Sequence, residues 1–78
     1  MKQGSMSAED VRFLKKVGSR IRSIRNEKGW TLEQVEEHGW KDWTHLQKIE
    51  SGKNITIVTL RRVGQLFKMP VSKLLEGL

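Results

Sequence analysis

A glycine and a set of capping residues confine residues 31–52 to two short helices. Thr31-Leu-Glu-Gln34 is a capping box, in which a hydroxyl and an amide exchange hydrogen bonds with the first backbone N–H groups of a helix. Gly39 supplies the left-handed residue that ends this helix, and Asp42 is a strong N-cap for the next one, which ends at Ser51-Gly52. Helices this short are stable only when they pack against other elements.

The same signals divide the rest of the chain. A first helix of about twenty residues is predicted between Ser7 and Gly29, because apolar residues recur there every three or four positions. Thr56 caps a fourth helix, and Pro70 begins a fifth over residues 70–76. No segment alternates apolar and polar residues, so the sequence predicts an all-α fold, a compact five-helix domain.

Composition limits the function classes. The polar, aperiodic residues 1–6 predict a disordered N-terminal tail, and residues 7–78 predict a single domain. No cysteine is present, His38 and His45 lack a third ligand in a recognisable spacing, and neither a metal nor another cofactor is expected. The chain shows no nucleophile–base pair, so we expect no enzyme and no small-molecule substrate. No apolar run approaches a membrane span, so no membrane association and a cytoplasmic location are expected.

The charge is unevenly distributed. The net charge is +6 and the pI about 10.1, which favours a polyanionic partner such as nucleic acid. Residues 12–28 carry a net +6 and residues 51–78 a net +4, whereas residues 29–50 carry −3. The positive charge therefore flanks the two short helices and does not lie on them.

Two short helices on either side of a tight turn form a helix-turn-helix, whose second helix enters the DNA major groove. Residues 14–76 resemble the Cro/repressor-type (XRE-like) helix-turn-helix family. The matching residues are Gly18, Arg20-Ile21, Ile24-Arg25, Gly29-Trp30-Thr31, Leu46, Ile49-Glu50, Gly52, Lys53-Asn54, Thr59-Leu60 and Leu74-Leu75. The resemblance implies a five-helix domain that binds double-stranded DNA, in a transcriptional regulator that acts as a homodimer.

The resemblance also implies residue roles. The base-facing positions of the third helix, residues 42–51, are occupied by Trp43, Thr44, Gln47 and Lys48. Lys53 and Asn54 match a loop that contacts phosphate. Because the helix pair is acidic, we expect further phosphate contacts from the first helix and from Arg61 and Arg62.

Three positions depart from the family pattern. Leu32 stands where the second helix usually opens with a phosphate-contacting Gln, and Glu36 stands where a small residue lets the two helices approach. The turn glycine of the family falls at Trp40, one residue after Gly39. These departures predict a turn shifted by one residue and a wider contact between the two helices.

Several residues have a structural alternative to a DNA contact. Trp43 fits the core of the widened helix contact as well as a base-facing position. Trp30 fits the core, and Trp40 fits the core or a dimer contact, better than a DNA contact. Arg25 and Glu50 match a pair that bridges the first and third helices in the family, and a partly buried structural role is expected for it.

The alternative function is a protein-interaction or antitoxin-like adaptor module that retains the fold, which the acidic residues 29–50 and Leu32 favour. The homodimer is expected to bury the last helix, because its apolar side chains exceed what so thin a core can absorb. These side chains belong to Val71, Leu74, Leu75 and Leu78.

Overall fold

The computed structural model describes residues 6–78, and this part of the chain is all-helical, as predicted. The predicted disordered tail, residues 1–6, lies outside the described residues except for Met6. The elements are α1 (Ala8–Glu27), the 3₁₀ helix η1 (Glu33–His38), α2 (Trp43–Glu50), α3 (Ile57–Phe67) and α4 (Val71–Leu74). Among residues 6–78, no helix is both long enough and apolar enough to cross a membrane.

The predicted side-chain caps are present, and Asp42 and Thr56 set the starts of α2 and α3, but η1 begins one residue later than its capping box suggests. Thr31 and Gln34 form the capping box, with the Thr31 N–H donating to Gln34 Oε1 at 2.8 Å and the Gln34 N–H to Thr31 Oγ1 at 3.2 Å. The helix that follows is nevertheless 3₁₀ and not α-helical, and the Val35 N–H bonds the Leu32 carbonyl three residues earlier. Gly39, with φ of +105°, ends it within two turns, and a segment this short readily takes the tighter helix.

The core lies along the long helix α1, against which α2 and α4 pack, while η1 packs on α2 and α3 packs on α4. Each element contributes side chains to one apolar cluster, whose buried members are Val17, Ile21, Ile24, Val35, Trp40, Leu46, Ile49, Val63, Leu66, Phe67 and Leu74. Burial of each such side chain stabilises the fold by about 1.5–3 kcal/mol before conformational entropy is subtracted. The short elements therefore hold their places through tertiary packing.

Gly18 brings α2 directly against α1. A Cβ atom at Gly18 would lie 2.7 Å from the carbonyl oxygen of Ile49, which is closer than side-chain carbons approach in proteins. The absence of a side chain therefore sets the distance between the two helices.

The last helix belongs to the core more than the sequence indicates. Leu74 is fully buried and Leu75 packs against the core cluster, so the expected surplus of apolar side chains on this helix is wrong for these two residues. Leu78 remains 42% exposed. Arg20 holds the helix on α1, because its Nη2 donates to the Lys73 carbonyl at 3.0 Å.

Candidate nucleic-acid interface

A buried ion pair fixes the rotation of α2. The Arg25 Nε lies 2.7 Å from Glu50 Oε2 and its Nη2 lies 3.0 Å from Oε1, while its Nη1 donates to the Trp30 carbonyl at 2.8 Å. The hydrogen bond with Glu50 raises the pKa of Arg25 further above its already high ordinary value. Arg25 is therefore positively charged throughout the pH range near neutrality, and its bonds anchor Glu50, the last residue of α2, to α1.

The opposite side of α2 is open to solvent. Leu46, Ile49 and Glu50 face inward, which leaves an exposed ridge of side chains spaced three and four residues apart. We call these side chains the α2 ridge, and they are Thr44, Gln47, Lys48 and Ser51. Three of the four residues at the base-facing positions thus lie together on one exposed face.

Trp43 differs from the other three. Its side chain is half-buried and packs against the core cluster, at the margin of the α2 ridge. Its backbone N–H donates to Glu36 Oε2 at 3.1 Å. The remaining accessible part of the indole offers an apolar face beside Gln47 and Thr44.

The other two tryptophans shape the turn from within. Trp40 is buried, its Nε1 donates to the Asp42 carbonyl at 2.9 Å, and its ring stacks on His45 at a centroid distance of 5.8 Å. Trp30 is half-buried and stacks on His38 at 3.8 Å. Because Gly39 takes the positive φ of the turn and Trp40 does not, a glycine is not needed at the position of Trp40.

The residues expected to contact phosphate fall into three groups. Lys53 and Asn54 are exposed in the loop directly after α2. Arg62 lines a groove beside the turn, whereas Arg61 lines a second groove at the joint of α3 and α4. The structure thus separates the two neighbouring arginines.

One further basic residue lies beside the loop. A Cβ atom at Gly52 would lie 3.0 Å from the Cγ of Lys15, so this lysine of α1 is brought next to the end of α2. The positive charge of residues 12–28 indicated that α1 supplies basic side chains. Which of them lies beside this loop depends on how α1 packs there, and the structure identifies Lys15.

Residues 18–77 match the family model described as a helix-turn-helix domain, which is more than half of the chain. The chain belongs to the helix-turn-helix domain family. Membership of this family confirms the fold predicted from the sequence and is consistent with the XRE-like resemblance. It also indicates DNA binding, and domains of this family are normally not enzymes. A search of curated proteins and a search of solved structures each gave no match.

The N-cap of the second helix of this helix-turn-helix restricts one residue of the α2 ridge. Asp42 Oδ1 accepts hydrogen bonds from the Thr44 hydroxyl at 2.6 Å and from the Thr44 N–H at 3.0 Å. These bonds lower the pKa of the Asp42 carboxyl below its ordinary value, and the bond from the Thr44 hydroxyl has the largest effect. Since the Thr44 hydroxyl donates to Asp42, only its lone pairs and its methyl group are available to a ligand.

Glu36 has a role in the helix-turn-helix that sequence reasoning missed. It is exposed and reaches from η1 to the start of α2, where it accepts the Trp43 N–H. Glu36 and Asp42 thus accept the first N–H groups of α2 and place two carboxylates at the positive end of its dipole, which stabilises the helix. A phosphate at this end therefore has to be bound by neighbouring cations and not by the helix N-terminus itself. The sequence does show a second acidic residue, Glu36, before a helix that Asp42 already caps. Whether the Glu36 side chain reaches that helix depends on how the turn folds.

Proposed function

We propose that this protein binds double-stranded DNA sequence-specifically, as a transcriptional regulator that acts as a homodimer and inserts α2 into the major groove. Membership of the helix-turn-helix family supports DNA binding in general. Sequence-specific binding is supported by one observation: Thr44, Gln47 and Lys48 share an exposed face of a helix whose other face is anchored to α1. Such a helix presents fixed side chains to base edges.

The α2 ridge offers distinct chemistry to the bases. Gln47 suits a bidentate contact with adenine, and Lys48 suits the acceptors of guanine. Thr44 accepts a hydrogen bond from an exocyclic amine or packs its methyl group on that of thymine. Trp43, at the margin, suits apolar contact with a thymine methyl or the sugar backbone.

The phosphate contacts are assigned to exposed side chains around α2. Lys53 and Asn54 follow the helix directly, and Arg61 and Arg62 lie on α3. Each phosphate that a cation neutralises adds about 0.9 to the slope of log K against log salt on duplex DNA.

A fluorescence anisotropy titration tests this function. Selected duplexes and scrambled duplexes of equal length are titrated at low and at moderate salt. We expect tighter binding to the selected duplexes and a steep loss of affinity with salt. Equal affinity for both sets, hardly changed by salt, would contradict the proposal.

The homodimer is supported by the resemblance to a family of dimeric regulators and by apolar side chains that remain exposed. Val11 and Phe13 are 38% and 48% exposed on the first turns of α1, and Leu78 is exposed at the end of the described chain. We expect light scattering to give twice the monomer mass at micromolar concentrations. A monomer mass that does not change with concentration would contradict the homodimer.

A protein-interaction module is the second candidate, and the outer face of η1 favours it. Glu33, Glu36 and Glu37 are all exposed there, so this face repels DNA and attracts a basic protein surface. Co-purification of a stoichiometric basic protein, together with no DNA affinity of the isolated chain, would favour this candidate over the first.

A further inference from the structure

A groove of about 710 Å³ lies between the turn, one flank of α2 and α3. Trp40 lies at the groove from the side of the turn, and Leu66 and Gln65 line it from α3. The side chains at this groove that carry or can gain a positive charge are Lys41, Arg62, His38 and His45.

The groove is positively charged at every pH near neutrality. Lys41 and Arg62 are exposed, and neither forms an ion pair with any residue of the described range 6–78. Asp42 is the only acid among the lining residues, so the groove carries a net +1 with both histidines neutral and +3 with both protonated. Oxyanions are therefore the ligands that fit its charge.

The position of the groove relative to α2 points to one oxyanion in particular. Lys41 lies just before α2, and the exposed Lys53 lies just after it. A helix of eight residues is about 12 Å long, and the major groove of B-DNA is about 12 Å wide. A helix seated across that groove would thus bring one cation to the strand at each end.

We propose that this groove binds a backbone phosphate of the DNA strand that borders the start of α2. Lys41 and Arg62 supply the positive charges, and their exposed side chains border the groove from the turn and from α3. This inference depends on the proposed function, because it assigns one phosphate contact within that DNA complex.

His45 forms part of the wall of the groove. Its half-buried ring stacks on Trp40, and Lys41, Asp42 and Arg62 line the same groove. The Asp42 carboxylate is occupied by the two donors of Thr44, which leaves Lys41 and Arg62 without an ion-pair partner among residues 6–78. Both cations are therefore available to a ligand in the groove.

The decisive experiment compares salt slopes. Wild type, Lys41→Ala, Arg62→Ala and the double variant are titrated with one duplex over a salt series. Lys73→Ala serves as the charge-matched control, because Lys73 is exposed on α4, which packs on α1 and α3. Circular dichroism melts confirm that each variant is folded.

We expect the double variant to lose about 0.9 from the slope, equivalent to one phosphate, while Lys73→Ala keeps the wild-type slope. If the groove variants keep the same salt slope as Lys73→Ala while wild type binds DNA normally, the groove proposal is overturned and the proposed function stands. A wild type with no salt-dependent DNA affinity would overturn both.

One further arm tests the source of the phosphate. Inorganic phosphate alone is titrated by NMR at the Gly39 amide and the Trp40 indole N–H. Tight saturation there, with DNA binding unaffected in the groove variants, would assign the site to a free anion and overturn the proposal.

Discussion

The contact between Arg25 and Glu50 determines which side chains α2 exposes. The side chains are 10% and 1% exposed, and the guanidinium satisfies both carboxylate oxygens and the Trp30 carbonyl. In so buried a pair each charge depends on the other, because removal of one leaves an uncompensated charge in a low dielectric. A contact between two single residues thus fixes the orientation of the whole α2 ridge.

Glu50→Gln should therefore destabilise the protein strongly. We expect a loss of about 3–5 kcal/mol in the free energy of unfolding, measured by urea denaturation, because Arg25 keeps its charge without a carboxylate. Arg22→Gln is the matched control. Its side chain is 54% exposed and lies 3.4 Å from the same carboxylate, so its loss should change stability by about 0–1 kcal/mol. Similar losses in the two variants would contradict the assigned burial.

Asp42 gives α2 an acid-sensitive cap. Its pKa in the folded protein is below the ordinary 3.8, mainly because Thr44 donates to the ionised carboxylate. The stabilisation is therefore complete above pH 3.8 and is lost as the pH falls through the lower folded value.

Asp42→Asn tests this cap, since asparagine caps helices about as well but does not titrate. Near pH 7 the variant should melt close to wild type. Below pH 4 its melting temperature should fall less steeply than that of wild type. Parallel acid profiles would show that the carboxylate does not interact with Thr44 as described.

At the scale of the elements, the contact of α1 with α2 depends on a residue without a side chain. Glycine in a helix is ordinarily about 1 kcal/mol worse than alanine, so Gly18→Ala would normally stabilise α1. Here the new Cβ would meet the backbone of Ile49 and Glu50, so we expect a loss of stability instead. Ser19→Ala, at the exposed neighbouring position, should leave stability unchanged or raise it slightly. A stabilised Gly18→Ala in urea denaturation would disprove the close approach.

The elements also show what the sequence could and could not predict. Helix starts were predictable because capping is local: Thr56 accepts from the Thr59 N–H at 3.1 Å, just as its place before an apolar run suggests. The 3₁₀ form of η1 and the bond from Trp43 to Glu36 were not predictable, because both depend on how the turn folds back. For the same reason the sequence could not show that Arg61 and Arg62 line different grooves, because the packing of α3 determines which groove each side chain borders.

At the scale of the whole molecule, the charge available to a ligand is smaller than the sequence suggests. Arg20 is bonded to the Lys73 carbonyl and Arg25 to Glu50, so two cations of residues 12–28 serve the fold. The positive charge that remains exposed borders the end of α2 at Lys15 and Lys53 and its start at Lys41 and Arg62, where two carboxylates oppose it in part. This distribution favours contacts with two strands on either side of α2.

Glu36→Gln should raise DNA affinity and lower stability. The amide oxygen can still accept the Trp43 N–H, but one charge that opposes phosphate is removed, and α2 loses about 0.3–1 kcal/mol of dipole interaction. Glu37→Gln removes a neighbouring exposed charge that makes no such contact within residues 6–78, and it should raise the affinity less. Anisotropy and urea denaturation measure the two effects separately. Equal gains in affinity from both variants would show that Glu36 does not lie near the bound DNA.

Recognition of DNA sequence by the α2 ridge is the core of the proposed function, and selection from a random duplex pool examines it without assuming a binding site. Wild type and Gln47→Ala are each selected to convergence and the enriched duplexes are compared position by position. We expect wild type to enrich a defined site and Gln47→Ala to lose about 1–3 kcal/mol of discrimination at one base pair while it keeps the other preferences. The same enriched site from both proteins, or none from wild type, would contradict the account.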